Sequence, residues 1–432
     1  MVDDGRSLSP FAARGVLGIA GVVALLHCVA MAFGTSYWFD EIYMLDIGLY
    51  HLDWGSADQP PLAPALAALA DVIAPGSVIA LRLPAVLATA GAVVVAGLIA
   101  RELECDGRAQ VFTASAQATG LWENLVGHWL TPYTLEPLQW MLLVWLLIRW
   151  QRVRDDRLLL VLGVVIGIAA MTKFQVMLLC LVLLVAVAIR GPRDLLRRPL
   201  FWAGAVFAAL IAAPTLIWQH LHGWPQLRMT PVVAGEAEAL YGGRPGISVQ
   251  LLVFAGLAGL VLGSYGLFRL LRADEMRPYR YLGMTFVALY VVFVATAGRP
   301  YYLAGLYAPL VAAGALGLQR RREARPCAAP LAGLVGVADR NGRRGRPSGH
   351  VGVDRPLRRR GEHCASHRRR LPRPARRAAG PNRHHRRVLH HGRVRRRLLA
   401  ALRLAAGIQP QPELRVLPPA AARPRRRALR RK

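Results

Sequence analysis

At 432 residues, 54% of them hydrophobic, the chain is too apolar for a soluble protein and ordinary for one that crosses a membrane many times. Its formal charge of +30 suggests a nucleic-acid binder until the distribution is read: up to Gln319 there are 21 Lys and Arg against 20 Asp and Glu, and from Arg320 onward 34 against 5. Cys28, Cys105, Cys180, Cys327 and Cys364 form no C-x-x-C pair, so they give neither a disulfide framework nor a zinc site.

In chain order, Met1–Arg14 is polar and Phe11–Gly34 is about one span long. Its apolar part is long, no A-x-A site follows and further spans come, so it reads as a signal anchor. An acidic, aromatic stretch follows, inside a large first outer loop over 35–80. Ala63–Ile73 is expected to lie along the membrane as a short helix. Leu81–Ala100 is the second span and Ala109–Gly127 a weak third, holding Gln110, Gln117 and Glu123. The fourth begins at Leu138–Ile148, the fifth is Leu158–Ala170 and the sixth Val176–Ile189. Phe201–Trp218 is the seventh, Gln219–Gly246 a long loop, and Ile247–Phe268, Tyr281–Ala297 and Tyr301–Leu318 are the eighth to tenth.

Charge tests this count. With the N-terminus in the cytoplasm and the spans alternating, the cytoplasmic segments hold 16 of the 21 cations. Arg82, Lys173, Arg228, Arg244 and Arg299 fall outside. That bias fits the positive-inside rule and puts the first loop on the extracytoplasmic face.

The first loop reads YWFDEIYMLDIGLYHLDWGSADQPPLAPAL from Tyr37 to Leu66. Asp40 and Glu41 are an adjacent carboxylate pair just past a span, with Tyr37, Trp38, Phe39 and Tyr43 around them. Ionisable groups at membrane depth usually face a polar cavity or an active site. The plainer alternative is a solvated loop with belt aromatics. Trp38-Phe39-Asp40-Glu41, the Asp58–Leu62 turn DQPPL and Arg82-Leu83-Pro84 together resemble the bacterial members of a family of membrane glycosyltransferases. These use polyprenyl-phosphate sugars and include protein O-mannosyltransferases and the aminoarabinose transferases of lipid A (glycosyltransferase family 39). Three further motifs fit the family in order: Met171-Thr172-Lys173-Phe174, the Pro214–Leu227 element PTLIWQHLHGWPQL, and Gly298–Tyr302, GRPYY.

The resemblance implies an all-α polytopic GT-C glycosyltransferase fold over 1–319, with about ten transmembrane helices, in the plasma membrane. It implies inverting transfer of a sugar, at the outer face, from a polyprenyl-phosphate donor to a hydroxyl on a lipid, glycan or protein. Such chemistry needs a carboxylate for the acceptor proton and cations around the leaving phosphate. Asp40 matches the family's first acidic position and is the expected base, with Glu41 orienting it or holding the acceptor. Glu136, in TLEP, matches the second acidic site although many relatives carry Asp there; a helix-start carboxylate before Pro137 is the alternative. Arg82, Lys173 and Arg299 are the expected phosphate ligands, though a Lys between apolar runs also fits snorkelling. His128, His220, His222, Trp224, Tyr301 and Tyr302 are expected to line the cleft. No metal-ligand spacing convinces, and a divalent metal is left open. Two rivals stand beside the enzyme: a transporter or flippase of lipid-linked sugars, and an inactive truncated transferase.

From 320 to 432 the pattern stops. The segment holds none of the 33 aromatics, 7 of the 12 histidines, and runs such as RPARR and RPRRR. It is expected to be disordered, because it cannot bury enough apolar surface to offset ordering. The mixture is what a GC-rich coding sequence yields when read in the wrong frame, from near Pro326. The functional alternative is a basic tail binding anionic lipid or nucleic acid, although for the protein as a whole no nucleic-acid partner is expected.

Overall fold

The computed structural model describes residues 8–33 and 36–324, and every regular element among them is helical. α1 is Ala13–Phe33, α2 Phe39–Tyr50 and α3 Leu62–Ile73. α4, Val78–Glu102, starts where the Ser77 hydroxyl accepts from the Ala80 amide at 3.3 Å. α5, Gly107–Ala118, is capped by Asp106, which accepts from the Ala109 amide at 2.8 Å. α6 is Leu121–Val126, α7 Pro132–Val153, α8 Arg157–Thr172, α9 Gln175–Arg190 and α10 Pro199–Leu221. α11 is Pro225–Tyr241, α12 Gly243–Val253, α13 Gly256–Arg272, α14 Arg280–Ala295 and α15 Tyr307–Ala324.

The chain is a multi-pass membrane protein. By length and composition α1, α4, α10 and the Asp274–Ala295 stretch can cross a bilayer, as can α12–α13 if that bent pair counts as one span. The other expected spans fall on shorter, broken or more polar helices. α8 and α9 have 16 residues each, about 24 Å at the helical rise, against a hydrocarbon core of roughly 30 Å.

Three expected elements change. Ala109–Gly127 is no single helix, because it breaks at Thr119–Gly120 between α5 and α6. Gln219–Gly246 is no loop: Pro225 opens α11 at its first turn, and the Glu- and Ala-rich run that follows propagates it. The eighth span is bent by 90° between α12 and α13, where Gly256 takes φ +73°. The Phe254 carbonyl freed at that bend accepts from the Leu121 and Trp122 amides. The helix expected from Tyr301 starts at Tyr307, leaving Tyr301 and Tyr302 in a turn.

α7 is the axis of the core. Its Trp140, Met141, Val144, Ile148 and Trp150 are each no more than 1% exposed, packed among α4, α8 and the turn before α15. Two helix pairs approach closely because glycines face each other, a common device where lipid supplies no hydrophobic drive. A Cβ on Gly163 of α8 would lie 2.1 Å from the Gly204 carbonyl oxygen of α10, and one on Gly266 of α13 1.8 Å from the Leu310 carbonyl oxygen of α15. The expected basic tail and the frame change near Pro326 lie, from 325 on, outside the described residues.

Candidate active site

The first loop is locked by one ion pair. Asp40 and Glu41 sit in the first turn of α2, where free backbone amides and the helix dipole favour carboxylates. Glu41 turns back so that its Oε2 accepts from the Trp38 amide at 2.9 Å. Its oxygens also take a bidentate fork from Arg82 on α4, Nε to Oε1 at 2.8 Å and Nη2 to Oε2 at 2.7 Å. The Leu130 amide adds a bond to Oε1 at 3.3 Å, and Arg82 donates to the Ser36 carbonyl at 3.0 Å. Glu41 is 0% and Arg82 1% exposed. Burying two charges is costly, and a bidentate, fully hydrogen-bonded geometry offsets that cost. The pair joins α2, α4 and the 127–131 turn. Arg82, expected on the phosphate, is thus committed to Glu41.

Asp40 is half-buried and points elsewhere. Its Oδ2 accepts from the Tyr133 hydroxyl at 2.7 Å. Tyr133 and Glu136 share one face of the first turns of α7, three residues apart. Glu136 accepts from Lys173 Nζ at 3.2 Å, and Lys173 projects from the gap between α8 and α9. The ammonium lies 4.3 Å from the Tyr302 ring centre and 4.9 Å from that of Tyr301, within cation–π range. Tyr301 stacks on Trp122 at 4.3 Å and meets the Tyr133 ring at 5.2 Å. One aromatic row therefore runs from the base candidate to the cation. Glu136 Oε1 is buried with no hydrogen-bond partner among the described residues. Arg299 pairs with Glu236, lies over the Tyr241 ring at 5.6 Å, and its buried Nη1 has no partner among the described residues.

The histidines fall elsewhere. His128 lies behind the loop, Nδ1 3.3 Å from His27 Nδ1. Burial, with Arg82 nearby, holds its imidazole below the ordinary value. His220, His222 and Trp224 are exposed at the α10–α11 junction. His222 stacks on Trp218 at 4.0 Å, and Trp218 Nε1 donates to Asp53 at 2.7 Å. Gln219 Nε2 reaches the Ser56 carbonyl at 3.5 Å, and Gln226 bonds the Asp58 carbonyl. This motif clamps the far end of the first loop rather than meeting Asp40. Sequence reading missed Tyr133, Trp122, Tyr241 and Glu236. Tyr133 had a signal, lying one helical turn before Glu136 and just after Pro132. Among the described residues no group of three His, Cys, Asp or Glu side chains is set to hold a metal.

Residues 58–218 match the family described as dolichyl-phosphate-mannose-protein mannosyltransferase, bearing out the resemblance read from the sequence over that stretch. The match contains Arg82, Glu136 and Lys173 and stops short of Asp40 and Arg299. The fold is of the GT-C type: ArnT from Cupriavidus metallidurans bound to undecaprenyl phosphate superposes with a TM-score of 0.57 at 18% identity, over 71% of this chain and 60% of that one. Its apo structure also gives 0.57 at 18% identity, over 72% of this chain and 60% of that one. The chain thus spans about 60% of the length of these solved relatives. No curated protein matches it.

Proposed function

We propose that the chain is a membrane glycosyltransferase that moves a sugar from a polyprenyl-phosphate donor to a hydroxyl acceptor at the outer face of the plasma membrane. The observation that carries this reading is the shared first turns of α7, through which Tyr133 contacts Asp40 and Glu136 contacts Lys173. A carboxylate and a cation tied to one rigid element fit a reaction that removes a proton on one side and releases phosphate on the other. The acceptor oxygen attacks the anomeric carbon opposite the phosphate, and Asp40 takes its proton. The glycosidic electron pair leaves on the phosphate, whose charge is met by Lys173 and Arg299. Lys173 has three N–H donors and gives one to Glu136, so two remain. Tyr301 and Tyr302 exclude water and strengthen those contacts. Inversion follows from single in-line displacement. His220, His222 and Trp224 act at the loop's far end, where an acceptor arrives.

A transporter of lipid-linked sugars has one feature on its side, the 90° bend between α12 and α13. The carbonyl freed there is satisfied by Leu121 and Trp122 amides, and the flanking Phe254 and Ala255 are apolar, which suits packing better than an ion site.

The test reconstitutes the chain in vesicles of known sidedness and supplies labelled polyprenyl-phosphate sugars one at a time. Label reaching a hydroxyl acceptor at the outer face with wild type and not with Asp40→Asn supports the reading. Label that merely crosses the bilayer, equally in both, identifies a transporter; full transfer by Asp40→Asn removes Asp40 as the base.

A further inference from the structure

We propose that Tyr133 is a positioning residue for the transfer reaction, holding Asp40 Oδ2 so that Oδ1 is presented to the acceptor hydroxyl. The proposal rests on the reading of Asp40 as the base. Asp40 differs from its neighbour in how it is held: Glu41 is anchored through both oxygens by Arg82 and two backbone amides, and Asp40 through Tyr133 at 2.7 Å. The Glu41 anchor fixes the α2 backbone at this turn. It leaves the χ angles of Asp40 to Tyr133.

Tyr133 is itself well held. Its ring meets Trp122 edge-on at 5.4 Å and Tyr301 at 5.2 Å. It sits on the first turn of α7, the element whose other end is in the core. Around the two side chains stand the Glu41–Arg82 pair, Tyr241 within electrostatic range of Asp40, and Lys173 and Arg299 beyond the Tyr301 ring. A phenol donor leaves one carboxylate oxygen with its lone pairs free, whereas a second cation in that place would take up both oxygens. Misplacing a reacting group by about 1 Å costs up to about a hundredfold in rate.

Tyr133→Phe deletes the hydroxyl and keeps the ring packing. With saturating acceptor, its kcat should fall about 10- to 100-fold, the scale of a hydrogen bond to a charged group. Its donor KM should stay within about twofold, because the phosphate ligands are untouched. Thermal unfolding in detergent should match wild type. Adding Tyr133→Phe to Asp40→Asn should cost nothing further, since the hydroxyl acts only through that carboxylate. If Tyr133→Phe aggregates, Tyr133→His keeps a ring N–H donor and should retain part of the wild-type kcat; a kcat as low as that of Asp40→Asn would overturn the proposal. So would a wild-type kcat in Tyr133→Phe, a loss confined to donor KM, or an additive loss in the double variant. An active Asp40→Asn would instead overturn the base assignment on which the proposal rests.

Discussion

Helix α7 carries an ionic cluster at each end, and the two are built in opposite ways. At the C-terminal end, Glu102 of α4 is 0% exposed, and both its oxygens are filled, by Arg149 at 2.8 Å and Arg152 at 2.6 Å. Nearby, Trp150 Nε1 donates to Asp156 at 2.9 Å and Arg154 pairs with Asp194. At the N-terminal end, Glu136 has one bond, to Lys173, and its other oxygen has no partner among the described residues. Lys173 is left with donors to spare over two tyrosine rings. One end is saturated and the other has hydrogen-bonding capacity in reserve. Buried polar groups without partners are costly, and a ligand bonded to Glu136 and Lys173 would remove that cost at the N-terminal end. Glu41–Arg82 refines the contrast: it lies beside Asp40 but is saturated, so it belongs with the scaffold.

The sharpest way to break the contrast is at Asp40. Asp40→Asn should lower kcat by at least about a hundredfold, the low end for loss of a general base, with unchanged membrane insertion and unfolding temperature; a stability loss with normal kcat would turn the site into scaffold. Arg82→Ala comes next and strikes folding first. It strands a buried carboxylate, at about 3–5 kcal/mol, read as a lower midpoint in thermal unfolding and restored in part by Glu41→Gln on the same background. Lys173→Met should raise donor KM roughly tenfold, and because it strips the buried Glu136 of its bonded cation it should also lower the unfolding midpoint; Glu136→Gln on the same background should restore the midpoint and not the KM. Glu102→Gln tests the saturated end and should leave kcat and KM alone. Its arginines are about one-third exposed and regain water, so the loss of stability stays at about 1–2 kcal/mol.

The smallest effect is on pH. His128 titrates below its ordinary value in the folded protein, so the unfolded chain binds the proton more readily. Stability should therefore be full above about pH 6.5, the unfolded value, and decline as pH falls below it. Unfolding midpoints measured between pH 8 and 5 should show that decline, and His128→Gln should make it shallower without abolishing it, since the buried His27 lies against His128.

The sequence made the cast legible and the pairings obscure. The fold class was readable, and Asp40, Glu136 and Lys173 could be singled out as candidates, because local motifs carry them. That Arg82 would be spent on Glu41 was not, because the two lie 41 residues apart and nothing local distinguishes a guanidinium facing a carboxylate from one facing a phosphate. Tyr133 was not singled out, although helical spacing from Glu136 places it on the same face. α11 lies inside the stretch read as a loop, and its Pro225, Pro231 and neighbouring glycines are residues that commonly mark loops. The bend after α12 was hidden inside an apolar stretch whose hydropathy does not change across it.

The glycine seam between α8 and α10 has a mechanical consequence. Gly163 faces Gly204, and Gly167 faces Ile211, so the register advances in the same direction along both helices and their C-terminal ends emerge on one side. At Gly163 backbone meets backbone and at Gly167 the Ile211 side chain fills the gap, so helices packed this closely would be expected to move as a plank. One tip of that plank bears Lys173; the other bears Trp218, fastened to Asp53 in the first loop. A pull on the first loop at Asp53 would then be carried through Trp218 and the seam toward Lys173.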